Sequence, residues 1–541
     1  MMWTRSFWRR WLAVALLTLP LVCSGATEPV APAILSGLTS DNNNDRIEAI
    51  NALGQLSSPI AADVLAALGD GRLLSTTNGQ VLISEGAERA LDLATGESVA
   101  IAPDAQPVML NNRLRRALQT ALASSELFSK QPAVRLAAAQ RLQKEADTAR
   151  TPVIERALAA ELDPEIKRAL NVALASAAIK SADAGERLRA VTALGVSGDP
   201  TFRPALAAML AQDAKSGFVE PDAKVRAATL EALRQIDAHQ TIVSWVGNIF
   251  YGLSLGSVLL LAALGLAITF GLMGVINMAH GELLMIGAYS TYLVQLLFKS
   301  FLPAWMSWYV VAALPVAFLL TALVGMALER TVIRWLYGRP LETLLATWGI
   351  SLCLMQAVRS VFGAQNVEVS NPSWMSGGVT VLGNLALSYN RLVIIGFALC
   401  VVVVVWLVLN FTRLGLFVRA ITQNRRMADC VGVPTGRIDM LAFGLGSGIA
   451  GLAGVALSQL GNVGPDLGRS YIVDSFMVVV LGGVGQLAGT VVAALGLGAL
   501  NKIIEPFWGA VIAKIVILLV IVLFVQKRPQ GLFAPKGRSV E

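Results

Sequence analysis

The chain carries two histidines and four cysteines among 541 residues, and only 15% of its residues are charged. Each scarcity excludes something. With His239 and His280 far apart and no second His or Cys at ligand spacing from either, no zinc-type site is expected. Cys353, Cys400 and Cys430 all fall in the second half, so the stretch from 27 to 240 has neither a disulfide nor a Cys metal site. No G-x-x-x-x-G-K-[ST] phosphate loop occurs anywhere, so ATP, if it is used, is bound by another chain. No cofactor is implied. A charge content this low beside 55% hydrophobic residues excludes a single soluble globule.

What is there divides the chain in three. Residues 1–26 hold three Lys/Arg, residues 27–240 hold 22 against 26 Asp/Glu, and residues 241–541 hold 18 against 10. The basic excess therefore belongs to the apolar half, which argues against nucleic acid as a partner. Residues 1–26 read as a cleaved signal peptide, with Arg5, Arg9 and Arg10, an apolar run from Trp11 to Val22, and Ser24-Gly25-Ala26 as the cleavage site. Val22, where a lipobox wants Gly or Ala, argues against a lipid anchor on Cys23.

Residues 27–240 repeat a helical phrase, as in "DRIEAINALGQL", "PAVRLAAAQRLQ", "PEIKRALNVALAS", "ERLRAVTALGVSGDP" and "AKVRAATLEALRQ". Four of the five open on an acidic residue or Pro, and each sets Arg or Lys in its first turn and continues with Ala and Leu at helical spacing. Stacked helix pairs of this kind form an α-solenoid, and the phrases resemble HEAT-like repeats. Asn78-Gly79 and Thr95-Gly96 mark a small β-hairpin insertion.

From about Trp245 to Gln526 come apolar runs long enough to cross ~30 Å of hydrocarbon as helices. Spans are expected near 247–270, 281–297, 309–329, 340–362, 391–412, 438–460, 473–486, 489–504 and 508–526. With the solenoid exported and the C-terminus inside, loops 330–339, 413–437 and 527–541 are cytoplasmic. They hold twelve Lys/Arg, as the positive-inside rule requires. The expected fold is all-α: a polytopic α-helical membrane permease domain with discontinuous helices over 241–541, preceded by the exported solenoid.

Two spans are irregular. "GLMGVINMAHGELLMIGAY" (271–289) interrupts an apolar run with Gly274, Asn277, His280, Gly281 and Glu282, and "LGGVGQLAGTVVAALGLGAL" (481–500) sets Gly482, Gly483 and Gly485 close together. Broken helices expose backbone polar groups at mid-membrane, whereas glycines alone can equally serve close helix packing. Asn277 and His280 share a face of an unbroken helix, but Glu282 lies about 200° from His280, so the three converge only if the helix breaks near Gly281. Glu282 then serves either as a partner for freed N–H groups or as a path-lining residue.

In "RLGLFVRAITQNRRMADCVGVPTGRID" (413–439), Val418, Ile421, Met427 and Val431 recur at helical spacing, Asn424 punctuates them, and Gly432 stands where a C-cap belongs. An amphipathic helix of this kind offers an apolar ridge to a partner's groove.

Together with "VVLGGVGQLAGTVVAALGLGAL" and the tail "RPQGLF", these stretches resemble the permeases of ATP-driven branched-chain amino acid importers over about 245–534. Within that family, the long exported domain and "NVEVSNPSWMSGG" (366–378) resemble the urea-importer permease. The resemblance implies a second permease subunit, cytoplasmic ATPase subunits, a periplasmic substrate-binding protein and contact with membrane lipid. It also implies that this chain is no enzyme. Its coupling helix would fall within Arg419–Gly432, taking in Ile421, Asn424, Arg425, Arg426, Met427, Ala428 and Val431. Urea is neutral, with two NH₂ groups and one carbonyl, and Asn277, His280 and Gln459 supply matching polar groups along a path. A branched-chain amino acid, or a passive solute channel with an exported sensor domain, remains the alternative.

Overall fold

The computed structural model describes residues 32–533 apart from 41, 57–58, 77–79, 85, 87–88, 94, 96, 104, 145–149, 214–216, 382 and 384. The expected signal peptide with Cys23, the Asn78-Gly79 turn and Gly96 lie outside the described residues. The chain divides into two compact units, Met1–Gln240 and Thr241–Glu541.

In the first unit, α1 (Pro32–Leu38), α2 (Asn43–Gln55) and α3 (Pro59–Gly69) precede a sheet. After it come α4 (Asn112–Glu126), α5 (Pro132–Lys144), α6 (Thr151–Ala160), α7 (Pro164–Ala178), α8 (Ala184–Ser197) and α9 (Arg203–Met209). The sheet joins β1 (Leu73–Ser75), β2 (Val81–Ser84), β3 (Arg89–Asp92), β4 (Ser98–Ala100) and β5 (Gln106–Pro107). It is antiparallel with order β4-β3-β2-β1-β5. The expected hairpin is thus part of a larger sheet, because the chain after β4 returns to pair Gln106 with Ser75 on the free edge of β1. A short pair, β6 (Gln212–Asp213) and β7 (Gly217–Phe218), closes the unit's strands.

An aspartate just before three of the repeated phrases caps the helix. Asp163 accepts from the Glu165 amide, Asp183 from Gly185 and Glu186, and Asp222 from Lys224 and Val225. The first-turn arginines have a shared job too. Arg135 donates to the carbonyls of Ser129 and Lys130, Arg187 to those of Ser181 and Ala182, and Arg226 to those of Glu220 and Pro221. Each therefore ties its helix to the turn just before it. Arg135 and Arg187 also pair with the buried Glu161 and Glu220 at 2.7 and 2.8 Å. The Arg135 hydrogen bond holds the Glu161 carboxyl down at about 2. Three apolar clusters follow one another along the unit, around Leu53, Leu142 and Leu194, so each helix packs on near neighbours in sequence.

The division at Gln240 falls within α10 (Ala223–Met273). The second unit continues with α11 (His280–Phe301), α12 (Tyr309–Thr331), α13 (Pro340–Phe362), the pair β8 (Gly378–Val381) and β9 (Leu385–Ser388), and α14 (Tyr389–Phe411). Then come α15 (Arg413–Gln423), α16 (Arg425–Cys430), α17 (Thr435–Ser458), α18 (Leu467–Gly482) and α19 (Leu487–Lys527). Among the described residues seven helices are long and apolar enough to cross a membrane, fewer than the nine spans expected. The span expected at 473–486 is the 16-residue α18, which starts at Leu467. Those expected at 489–504 and 508–526 are the two helical stretches of α19, separated at Gly509, whose φ of 79° and ψ of 164° are not helical.

The apolar stretches of α10, α17 and α11 are 83%, 78% and 67% buried inside the protein, whereas those of α13, α19 and α14 are 17%, 17% and 22% buried. The first three make the interior and the others its rim. Glycine lets the interior backbones meet: a Cβ on Gly265 would lie 2.3 Å from the Gly446 carbonyl oxygen, and one on Gly287 equally close to that of Gly451. At the rim, α12 runs between exposed tryptophans, Trp305 and Trp308 before it and Trp335 after it. Trp374 joins the first pair by donating to the Ser307 carbonyl at 2.7 Å.

Candidate functional site

The apolar run at 271–289 does break, but not at Gly281. Helix α10 ends at Met273, Gly274 takes a φ of +65° that an L side chain rarely adopts, and α11 starts at His280. Asn277 bridges the gap by accepting the Ala279 amide on its side-chain oxygen at 3.0 Å. Thr347 of α13 braces the same stretch, accepting from the Met278 amide at 3.2 Å while its own proton goes to the Thr343 carbonyl at 2.9 Å.

Gly281 therefore serves a purpose other than the one expected of it. It lies inside α11, and a Cβ there would stand 2.6 Å from the Gly468 carbonyl oxygen. Close approach of α11 to α18, not backbone freedom, demands a glycine at this position.

Three side chains at the break are buried with one polar atom each left without a hydrogen-bond partner: Asn277 at Nδ2, His280 at Nδ1 and Glu282 at Oε2. His280 meets the Ala262 carbonyl through Nε2 at 2.9 Å. A carbonyl only accepts, so Nε2 carries the proton and Nδ1 is a bare acceptor. Glu282 lies in the first turn of α11 and is not its N-cap, which is Ala279. Its Oε1 accepts from Ser351 of α13 at 2.9 Å. About two turns further on, the buried Tyr289 hydroxyl is also without a partner.

Gln459 does not join this group. Its amide nitrogen donates to Ser458 at 3.1 Å and its amide oxygen lies 3.3 Å from the Tyr309 hydroxyl, which sets the end of α17 beside α12. Tyr309 in turn donates to the Ser370 carbonyl at 2.6 Å, within the 366–378 segment.

The second irregular stretch breaks as well. Gly483 and Gly485 have φ of +99° and +80° between α18 and α19, while Gly482 and Gly489 are packed backbone to backbone. Turning and close packing in 481–500 thus fall to different glycines. A Cβ on Gly271 would stand 2.5 Å from the Gly485 Cα, so the end of α10 touches the second break. The tail lies against that break too, with the Leu532 amide donating to the Leu481 carbonyl at 2.9 Å.

The basic segment forms two helices, not one. Asn424 ends α15 and caps α16, accepting from the Met427 amide at 3.0 Å, and Gly432 follows with φ of +85°. The break resets the helical phase, so the expected single ridge divides. Val418, Ile421 and Ala428 are buried in a cluster with Val433, Ile438 and Ala442, while Met427 and Val431 are exposed. Arg419 donates back to the Leu409 carbonyl at 2.5 Å, and Arg426 is exposed.

Residues that sequence reasoning passed over are Ser351, Thr347, Tyr289, Glu329, Tyr337 and Asp439. The signal that could have found most of them is a lone polar side chain in an apolar run. Among the described residues no group of three or more His, Cys, Asp or Glu is placed to hold a metal ion.

A family model described as branched-chain amino acid transport system / permease component matches residues 248–525. The chain is 27% identical over 297 residues to the high-affinity branched-chain amino acid transport system permease protein BraD of Pseudomonas aeruginosa, covering 54% of this chain and 96% of that protein. It is 27% identical over 292 residues to the permease protein LivH of Salmonella typhimurium, also of a high-affinity branched-chain amino acid transport system, covering 53% and 94%. A shorter match, 29% identical over 130 residues, reaches the ribose import permease protein RbsC of Escherichia coli, covering 22% and 40%. With just over half of its length matched by the family model and, among the described residues, seven helices fit to cross a membrane, the chain belongs to the permease-component family of branched-chain amino acid transport systems and is a multi-pass membrane permease subunit, not itself an enzyme.

Proposed function

We propose that the protein is the permease subunit of an ATP-driven importer in a bacterial inner membrane, and that its substrate passes the two touching helix breaks at 274–279 and 483–486. The observation that carries this reading is the set of buried polar atoms left open at the first break, Asn277 Nδ2, His280 Nδ1 and Glu282 Oε2. Unpartnered polar atoms at membrane depth are costly, so something that moves through must meet them. A second permease, ATPase subunits and an external binding protein complete the machine. The first unit, a repeat-like stack, acts as an external docking surface for one of them.

For the substrate, the relatives named for branched-chain amino acid transport favour an amino acid, whose ammonium Glu282 could receive. Urea is the second reading. It is supported by the uncharged amide and imidazole beside Glu282, which suit a neutral molecule rich in N–H groups. In vesicles holding the whole importer, uptake of labelled leucine and labelled urea is measured with each as competitor for the other. Leucine uptake that urea does not inhibit supports the first reading, and the converse supports the second. Uptake that persists without ATP overturns the importer itself.

The segment 413–432 is the ATPase-docking element in this reading, on the cytoplasmic side with 330–339. Its outward apolar side chains, Met427 and Val431, are what a partner's groove would take.

A further inference from the structure

Four polar side chains from separate stretches meet at one end of the membrane unit. Glu329 in the last turn of α12 and Asp439 near the start of α17 are both buried. Tyr337, in the connection from α12 to α13, donates its hydroxyl to Glu329 at 2.9 Å. Arg425, the first residue of α16, reaches Asp439 at 2.5 Å and lies over the Tyr337 ring with its guanidinium carbon 4.8 Å from the ring centre.

The ring has a second set of neighbours. Val275, Ile333 and Phe443 form a small buried cluster, and Met273 and Tyr337 pack against it. Met273 is the last residue of α10 and Val275 follows Gly274, so this cluster holds the first helix break. Contact therefore runs without interruption from α16, through Arg425 and Tyr337, to the backbone at 273–275.

Two observations set this apart from a network that merely fastens loops. Arg425 is 42% exposed although it neutralises a carboxylate that is 3% exposed, so the cation sits where another chain can reach it. Withdrawing it would leave Asp439 buried and unpaired, a strongly disfavoured state, so the arrangement has two distinct conditions and not a continuum. Glu329 already has one carboxylate oxygen without a partner, so only the Tyr337 bond holds it.

We propose that Arg425 and Tyr337 are a positioning relay, passing movement of α16 to the helix break at 274–279. The proposal rests on the reading of 413–432 as the ATPase-docking element. A partner that draws α16 outward removes the guanidinium from Asp439 and from the ring face, and Tyr337, released, lets Met273 and Val275 shift.

The test uses the whole importer, purified from its own membranes with its ATPase subunits and placed in vesicles. ATPase co-purification is read beside the number of ATP hydrolysed per substrate taken up. Arg425→Gln and Tyr337→Ala are expected to keep the ATPase subunits bound while raising ATP hydrolysed per substrate by about fivefold or more, the lower end of a site-to-site coupling. Arg425→Lys, which keeps a cation on Asp439, and Tyr337→Phe, which keeps the ring beneath Arg425, should each recover most of the coupling. A merely structural role would lower folded protein without changing that ratio. An unchanged ratio in the Arg425→Gln complexes that remain folded, with Arg425→Lys as the variant that keeps a cation on Asp439, overturns the relay. The double variant Met427→Asp with Val431→Asp reads docking separately: if it keeps its ATPase subunits, the docking reading fails, whatever the relay variants do.

Discussion

Ser351 donates its hydroxyl to Glu282 at 2.9 Å, tying the middle of α13, a rim helix, to the first turn of an interior one. This bond holds one carboxylate oxygen and leaves the other facing the break. Ser351→Ala should free the whole carboxylate and lower uptake about tenfold, as expected when a hydrogen bond to a charged group is lost. Glu282→Gln keeps an acceptor for Ser351 but removes the charge. For an amino acid substrate it should cost more than Ser351→Ala, and for urea less. Transport assays on both variants, at equal amounts of inserted protein, decide between the two.

Gly281 and Gly468 lie back to back, and a methyl on either would stand 2.6 or 2.1 Å from the carbonyl oxygen of the other. Backbone cannot move aside as a side-chain tip can. Gly281→Ala and Gly468→Ala should therefore each destabilise the protein by roughly 1–3 kcal/mol, the range for overpacking. Gly274→Ala meets nothing within 4 Å, and its strain comes from φ alone. It should cost about 1 kcal/mol and disturb transport more than stability. Melting temperatures in detergent and uptake rates, measured side by side, test this ordering.

At the basic segment, Ala428 and Met427 are adjacent in sequence and opposite in exposure. Ala428→Glu should bury a charge among Val418, Ile421 and Ile438 and reduce the amount of folded protein. Met427→Asp should leave folding intact and weaken retention of the ATPase subunits. Size-exclusion profiles of the purified complex separate the two outcomes.

The first unit should loosen in acid. Arg135 lowers the Glu161 carboxyl from its ordinary 4.5 to about 2, and Arg187 lowers Glu220 in the same direction. A depressed acid contributes stability above its unfolded value and loses it as pH falls through its folded one. Amide protection in α5–α8 of the intact chain, relative to the intrinsic exchange rate at each pH, should be unchanged from pH 7 to 5 and fall between about 4.5 and 2. Arg135→Ala should abolish the Glu161 share of that response. It should also lower stability at neutral pH, because the buried Glu161 carboxylate loses its cation.

Much of the membrane unit can be read from the sequence because lipid leaves a long chain few choices, and an apolar run of the right length becomes a helix. The places of failure share a cause. Glycine marks both a backbone turn and a close approach, and nothing in "GLMGVINMAHGELL" separates Gly274, which turns, from Gly281, which packs. Helical phase carried from Val418 to Val431 goes wrong because Asn424 interrupts it, and a cap residue is itself a signal that the phase restarts. Gln459 has the right chemistry for a path, but its partners, Tyr309 and Ser458, could not be seen until the chain was folded. The group at Glu329, Tyr337, Arg425 and Asp439 comes from three regions of the chain, and no local pattern announces it.

The tryptophans at the two ends of α12 have a consequence for the membrane as well as for the protein. At 1.5 Å per residue the 23 residues of that helix run about 34 Å, and indole rings settle by preference at the headgroup level. Trp305 and Trp308 at one boundary and Trp335 at the other thus act as a gauge of bilayer thickness. In a thinner bilayer α12 must tilt or stretch its surroundings, at fractions of a kcal/mol per Å. Because α12 and α13 flank the turn that carries Tyr337, a change in the tilt of α12 would be felt first at that turn.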